Sequence, residues 1–154
     1  MVEKVLITYF GAFEGVPKNP TYYLAHAVRQ AVKDRSDLLV DIVLQELPVV
    51  FGESAQRLRQ TLDAVSPDAV IALGVAVGRH KVSLERVAIN LDDARIADTD
   101  GVQRRDAPIV PGAPAAYFST LPTRDVVNKA SALHLPVELS YTAGTYVCNH
   151  VFMR

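Results

Sequence analysis

At 154 residues the chain has the length of one domain and enough surface burial for a real core. Its apolar share is close to half, and 16 basic side chains balance 17 acidic ones without any basic run, which argues against a nucleic-acid or anionic-membrane surface. No signal-like apolar stretch follows Met1-Val-Glu-Lys, and the apolar run at residues 5–8 is far too short to span a bilayer. One cysteine cannot form an internal disulfide and suits a reducing compartment, so the cytoplasm is expected.

In chain order, short apolar runs alternate with amphipathic segments. Residues 5–8, 40–44 and 69–73 are short, largely apolar runs of a length that suits strands buried on both faces. Between them, Leu24, Val28, Ala31 and Val32 share one helical face, as do Ala55, Leu58, Leu62 and Val65. Asn19-Pro20 has the form of an N-cap with proline in the first turn, and Ser66-Pro67-Asp68 ends the second helix. Residues 86–91 are a further strand candidate. Residues 94–114 are rich in Asp, Gly and Pro without a period and predict a long ordered loop. Thr123 opens a helix with Val126, Ala130 and Leu133 on its apolar face, residues 137–141 alternate as a strand does, and Ala143-Gly144 turns the chain into a last helix. The rhythm predicts an α/β domain over residues 1–154: a three-layer α/β/α sandwich around a mixed, mostly parallel sheet.

Cys148 stands in the first turns of that last helix, after the small residues Ala143 and Gly144. Backbone N–H groups and the helix dipole there favour thiolate, so a nucleophile with a lowered pKa is one expectation. A buried thiol acting as a small hydrophobe is the other. Four histidines are present. His150 follows Cys148 by two residues, which on a helix turns it about 200° away. His26 and His134 fall in helical patterns, and His80 lies in a polar cluster with Arg79 and Lys81. The glycines lack the Gly-Lys-Ser/Thr of a phosphate loop and any dinucleotide fingerprint, and no group has metal-ligand spacing; neither cofactor nor metal is expected.

The segment Leu135-Pro-Val-Glu-Leu-Ser-Tyr-Thr-Ala-Gly-Thr-Tyr-Val-Cys148-Asn149 resembles the cysteine signature of the pyrrolidone carboxyl peptidases, or type I pyroglutamyl peptidases. Ser83-Leu84-Glu85-Arg86-Val87-Ala88-Ile89-Asn90 resembles the glutamate signature of the same family. Asp92-Asp93-Ala94-Arg95-Ile96 and residues 107–118 look like its connecting segments. Thr8, Phe10, Phe13 and Asn19-Pro20-Thr21 resemble its opening motif, and Leu47-Pro48-Val49 has a counterpart after the second strand. The resemblance runs from Val5 to Arg154, with these motifs in family order.

The resemblance implies a Cys-His-Glu triad that removes N-terminal pyroglutamate from peptides through an acyl-enzyme. Cys148 is then the nucleophile and Glu85 the group that orients the imidazole. Without the motif, Glu85 is a surface ion-pair partner of Arg79 or Arg86. Arg95 is expected to support the oxyanion or to pair with Asp92 or Asp93. Phe10 and Phe13, with Ile96, are expected at the lactam ring; ordinary core packing is the competing role for the two phenylalanines. The chain departs from the family pattern at Tyr9, Gly11 and Ala12, where Tyr9 replaces a glycine and threatens the pocket, and at Val77 and Ala97. The family's histidine base lies on a strand beyond the cysteine helix, and no histidine here matches it. The C-terminal strand and helix are therefore expected to be missing, which exposes an apolar edge and favours homo-oligomers. Pyroglutamyl peptides are the expected partners, without nucleic acid or membrane. Two outcomes follow: a chain inactive as written although its family is active, or a degenerate binding or interaction protein.

Overall fold

Strand β1 (Glu3–Phe10) is apolar on both faces because both are covered, and it organises the first part of the fold. The computed structural model describes residues 3–13 and 15–154. The chain divides into two compact units, one comprising residues up to Val75 with Ala97–Val102, the other Ala76–Ile96 with Gln103–Arg154. The class is α/β, with mostly parallel strand pairing.

In the first unit the strand order is β2-β1-β3, with β2 at Val40–Leu47 and β3 at Ala69–Ala72, both parallel to β1. Helix α1 (Pro20–Lys33) starts as the sequence predicts: the Asn19 side chain accepts from the Thr21 N–H at 3.1 Å, and Pro20 takes the first turn. Its inner face is displaced from the predicted one. Thr21 and Ala25 are buried and Val28 and Val32 half-buried, whereas Leu24 is 46% exposed and Ala31 is exposed. Ala25 lets α1 pack closely on Ile7 and Tyr9, and that contact sets the helix's rotation.

Helix α2 (Phe51–Val65) buries Phe51, Ser54, Ala55 and Leu58 and ends at Ser66, whose left-handed φ of 47° turns the chain toward β3. Its N-cap, Val50, has no side-chain acceptor. Asp98 supplies one from far along the sequence: its Oδ2 accepts from the Phe51 N–H at 3.1 Å while Oδ1 accepts from the N–H groups of Asp100 and Val102. The predicted loop is thus ordered by its own turn.

In the second unit β4 (Val82–Glu85) pairs in parallel with β7 (Val137–Ser140), and β5 (Val87–Ile89) pairs antiparallel with β6 (Ala116–Phe118). The strand expected at 86–91 is thus shorter, broken from β4 at Arg86, whose N–H donates instead to the Ser140 carbonyl at 2.8 Å. Helix α3 (Thr123–Ala132) buries Thr123 and half-buries Val127 and Ala130; Val126 and Leu133, predicted inside, are 45% and 70% exposed. It ends before His134, which takes a left-handed φ of 57°. The His134 and Leu135 N–H groups close the terminus on the carbonyls of Ser131 and Ala130. Helix α4 (Val147–Phe152) is the short last helix.

Replacing Asp98 with Ala leaves three N–H donors without their acceptor and should cost about 2 kcal/mol, within the range of cap and buried-donor losses. Urea unfolding of D98A measures this. The exposed neighbour substitution Asp100→Ala should move the midpoint little.

Candidate active site

Two chained turns deliver Cys148. The Ser140 hydroxyl contacts both the N–H and the carbonyl of Thr142, at 3.4 and 3.2 Å, and the Thr142 hydroxyl accepts from the Gly144 N–H at 3.0 Å. Gly144 has a φ of 75°, a conformation that a side chain would strain. Thr145 then donates from Oγ1 to the Asp93 carbonyl at 2.7 Å, and α4 begins after the extended Tyr146. Behind the cysteine, the buried Asn149 bonds the N–H and carbonyl of Ile89 at 3.0 and 2.9 Å and the Leu91 carbonyl at 3.2 Å. His150 is also buried, its Nδ1 2.9 Å from Asp92 Oδ2, and Arg104 meets the same oxygen at 2.9 Å. The sequence assigns no such anchoring to either residue.

Glu85 ends β4 with its two oxygens in different states. Oε1 pairs with Arg79 Nη1 at 2.9 Å, the ion pair that the sequence offers as the structural alternative. Oε2 is buried and, among the described residues, makes no hydrogen bond. Glu85 is also the charged side chain whose field acts on the Cys148 thiol, so carboxylate and sulfur share one neighbourhood. A half-buried carboxylate with one oxygen anchored and the other open can orient and stabilise a cationic imidazole.

The family model for pyroglutamyl peptidase matches residues 3–154. The chain belongs to this family. It is 51% identical over 148 residues to pyrrolidone-carboxylate peptidase 1 of Ralstonia nicotianae, covering 96% of this chain and 67% of that protein. The corresponding peptidase of Erwinia tasmaniensis is 47% identical over 153 residues, covering 97% of this chain and 68% of its own length. Among solved structures, the pyroglutamyl peptidase I of Bacillus amyloliquefaciens superposes with a TM-score of 0.91 at 39% identity, covering 99% of this chain and 71% of that one. The E192Q mutant of the Pyrococcus furiosus pyrrolidone carboxyl peptidase superposes with a TM-score of 0.90 at 41% identity, covering 97% and 70%. The chain thus spans about two thirds of the length of these relatives.

The other expected site residues are less tightly held. Arg95 is exposed and, among the described residues, makes no ion pair: Asp92 is taken by Arg104 and His150, and Asp93 lies 3.7 Å from Arg105. The alternative that paired Arg95 with either aspartate is thereby overturned. Ile96 is 47% exposed. In the first unit Phe10 is buried at the end of β1, where its N–H donates to Thr21 Oγ1 at 3.1 Å, and Phe13 is half-buried in a turn closed by two hydrogen bonds with Val16. Among the histidines, His80 is exposed, His134 lies past its helix, and His26 packs against the rings of Tyr9 and Tyr22. No group of three or more His, Cys, Asp and Glu among the described residues is arranged to hold a metal, and no helix is long and apolar enough to cross a membrane.

The thiol itself departs from expectation. Desolvation pushes Cys148 from its ordinary 9.0 up to about 11; the backbone N–H at the helix start lowers it, and the Glu85 charge raises it again. The helix effect that the sequence emphasises is present but is outweighed by burial, in a helix of only 6 residues. Because the folded pKa is raised, the stability held by the neutral thiol is complete below pH 9 and lost as pH rises toward about 11. The loss is roughly 2–3 kcal/mol for a shift of this size. Unfolding midpoints of the native chain and of Cys148→Ala between pH 8 and 11 should therefore converge as pH rises. Parallel curves would show a thiol with an ordinary pKa.

Proposed function

We propose that this chain acts as a cysteine exopeptidase on N-terminal pyroglutamyl peptides, with Cys148 as nucleophile and Glu85 as the carboxylate of a Cys-His-Glu triad. The observation that carries the reading is the arrangement around Glu85. One oxygen is fixed by Arg79, the other is buried without a partner, and the carboxylate's charge reaches the Cys148 sulfur. In this mechanism the thiolate attacks the carbonyl carbon of the pyroglutamyl residue and the peptide amine leaves as it takes a proton. The resulting thioester is then hydrolysed by water. The Cys148 N–H and Arg95 are the proposed stabilisers of the oxyanion. Phe10, Phe13 and Ile96 are the proposed contacts of the lactam, a flat uncharged ring suited to apolar walls. The single thiol is consistent with a cytoplasmic reaction, and pyroglutamyl peptides are the proposed partners.

The imidazole is the demanding part of this scheme. A thiol with a pKa of about 11 is almost wholly protonated at neutral pH. An imidazolium beside it would oppose both causes of the upward shift, the desolvation and the Glu85 charge. Among the described residues no imidazole hydrogen-bonds Cys148 or Glu85 Oε2: His150 turns to Asp92, and His80 is exposed. A second reading is a pyroglutamyl-peptidase-like binding protein without turnover.

The two readings separate in a single assay series on the 154-residue chain. Cysteine can attack an activated ester without a base, whereas amide cleavage needs an acid for the amine and a base for deacylation. Slow single-turnover acylation of Cys148 by an activated pyroglutamyl ester is expected. Amide turnover should stay at about the 10³–10⁴-fold residual level that binding and an oxyanion hole leave in a broken triad. Mass spectrometry should locate the thioester on Cys148, and Cys148→Ala should abolish it. No adduct would refute the nucleophile assignment and leave binding; full amide turnover would identify one of the present histidines as the base.

A further inference from the structure

Arg79 makes more contacts around the proposed site than a surface ion pair requires. It follows a tight turn in which Gly78 has a φ of 87° and the Arg79 N–H returns to the Ala76 carbonyl at 3.1 Å. From there the guanidinium spreads over three partners. Nη1 reaches Glu85 Oε1 at 2.9 Å and Ser140 Oγ at 3.2 Å, and Nη2 reaches the Thr142 carbonyl at 3.1 Å. Glu85 ends β4, Ser140 ends the neighbouring β7, and Thr142 belongs to the turn that leads into α4. One planar fork thus touches the proposed carboxylate and the segment that carries the proposed nucleophile.

We propose that Arg79 is a positioning residue for the reaction, whose guanidinium locks Glu85 and the turn before Cys148 together and leaves Glu85 Oε2 as the acceptor for the imidazole. This inference deepens the reading above and rests on it. The geometry supports it in two ways. Arginine presents parallel donors at fixed spacing, so one arm can satisfy the carboxylate while the other holds a carbonyl, which a lysine ammonium cannot do at both places with the same planarity. The cation also offsets the Glu85 charge, and Glu85 is the charged group that acts on the thiol. Without Arg79 the carboxylate could swing toward either oxygen, and its negative charge would bear on Cys148 unopposed.

The test uses the full 154-residue chain and the pH dependence of iodoacetamide alkylation at Cys148, which needs neither substrate nor an imidazole. Arg79→Gln should move the profile to higher pH and slow alkylation at pH 8 by about 3–10-fold, the size of a shift of half to one pKa unit. In a Glu85→Gln background the same substitution should cause no further shift, because the charge it unmasks is gone. Arg79→Lys should restore the pH profile by keeping the charge. It should still acylate more slowly with the activated pyroglutamyl ester, because the fork is lost. A shift that persists undiminished with Glu85→Gln, or a folded Arg79→Gln chain with the native profile, would overturn the proposal. If circular dichroism shows that Arg79→Gln does not fold, acylation decides the question: Arg79→Lys acylating as fast as the native chain overturns it, and slower acylation at an unchanged alkylation profile supports it. Failure of the native chain to acylate, with the Arg79-dependent profile intact, would refute the peptidase reading alone.

Discussion

The side-chain amide of Asn149 is completely buried and turned wholly onto the strand beside it. It accepts from the Ile89 N–H and donates to the carbonyls of Ile89 and Leu91, pairing as a backbone amide would. A buried primary amide with unmet donors would cost several hydrogen bonds' worth of desolvation, so this seat admits one placement of α4. Cys148 is the preceding residue, and Glu85 lies four positions before Ile89 along the same stretch of chain. The proposed nucleophile and carboxylate are thus positioned from both sides: by Asn149 behind the cysteine, and by the Ser140, Thr142 and Arg79 contacts in front of it. The pair of buried groups at His150 and Asp92 adds a second peg on the far side of the helix.

The same anchoring has an electrostatic consequence. Pulling α4 into the unit leaves Cys148 half-buried, and desolvation of its thiol is the largest influence on its pKa. A first-turn backbone N–H cannot recover what desolvation costs, and a carboxylate nearby adds to the deficit. In the proposed triad the frame supplies geometry and an imidazolium between sulfur and carboxylate would supply the charge balance.

Much of this was legible in the sequence, and the limits have identifiable causes. Strands β1, β2 and β3 were legible as largely apolar runs, but only β1 is buried on both faces: β2 is mostly half-buried, and Ile71 and Ala72 of β3 are exposed. Asn19-Pro20 and Ser66 set their helix ends through local chemistry. The cysteine and glutamate signatures carried the family assignment that the comparisons establish. Strands β4 and β6 were missed: they have 4 and 3 residues and mix polar with apolar side chains, so no periodicity can develop. The faces of α1 and α3 were rotated because Leu24, Val126 and Leu133 are apolar yet exposed, while the contacts that fix rotation belong to Thr21, Ala25 and Thr123. The Asp98 cap joins residues 47 apart, beyond any local capping signature. The desolvation that raises the Cys148 pKa was not legible, because helix position is visible in a sequence and burial depth is not.

The departure from the family pattern at Tyr9 is accommodated by packing against α1. Tyr9 stands where a glycine is usual, but side chains alternate along a strand, so Tyr9 projects with Ile7 toward Ala25 of α1 while Phe10 projects to the other face. Its ring meets those of Tyr22 and His26 at centroid distances of 5.7 and 5.8 Å, and burial, with the Glu46 charge nearby, raises its hydroxyl pKa. Gly11 completes the arrangement. A Cβ there would come within 3.1 Å of Glu46 Oε1, the end of an exposed side chain that would have to give by a few tenths of an ångström. The Gly11 backbone is meanwhile held by Leu47 and Asn19, at 3.1 and 2.9 Å. Tyr9 thus packs on the α1 side of β1 and leaves Phe10 on the opposite side of the strand.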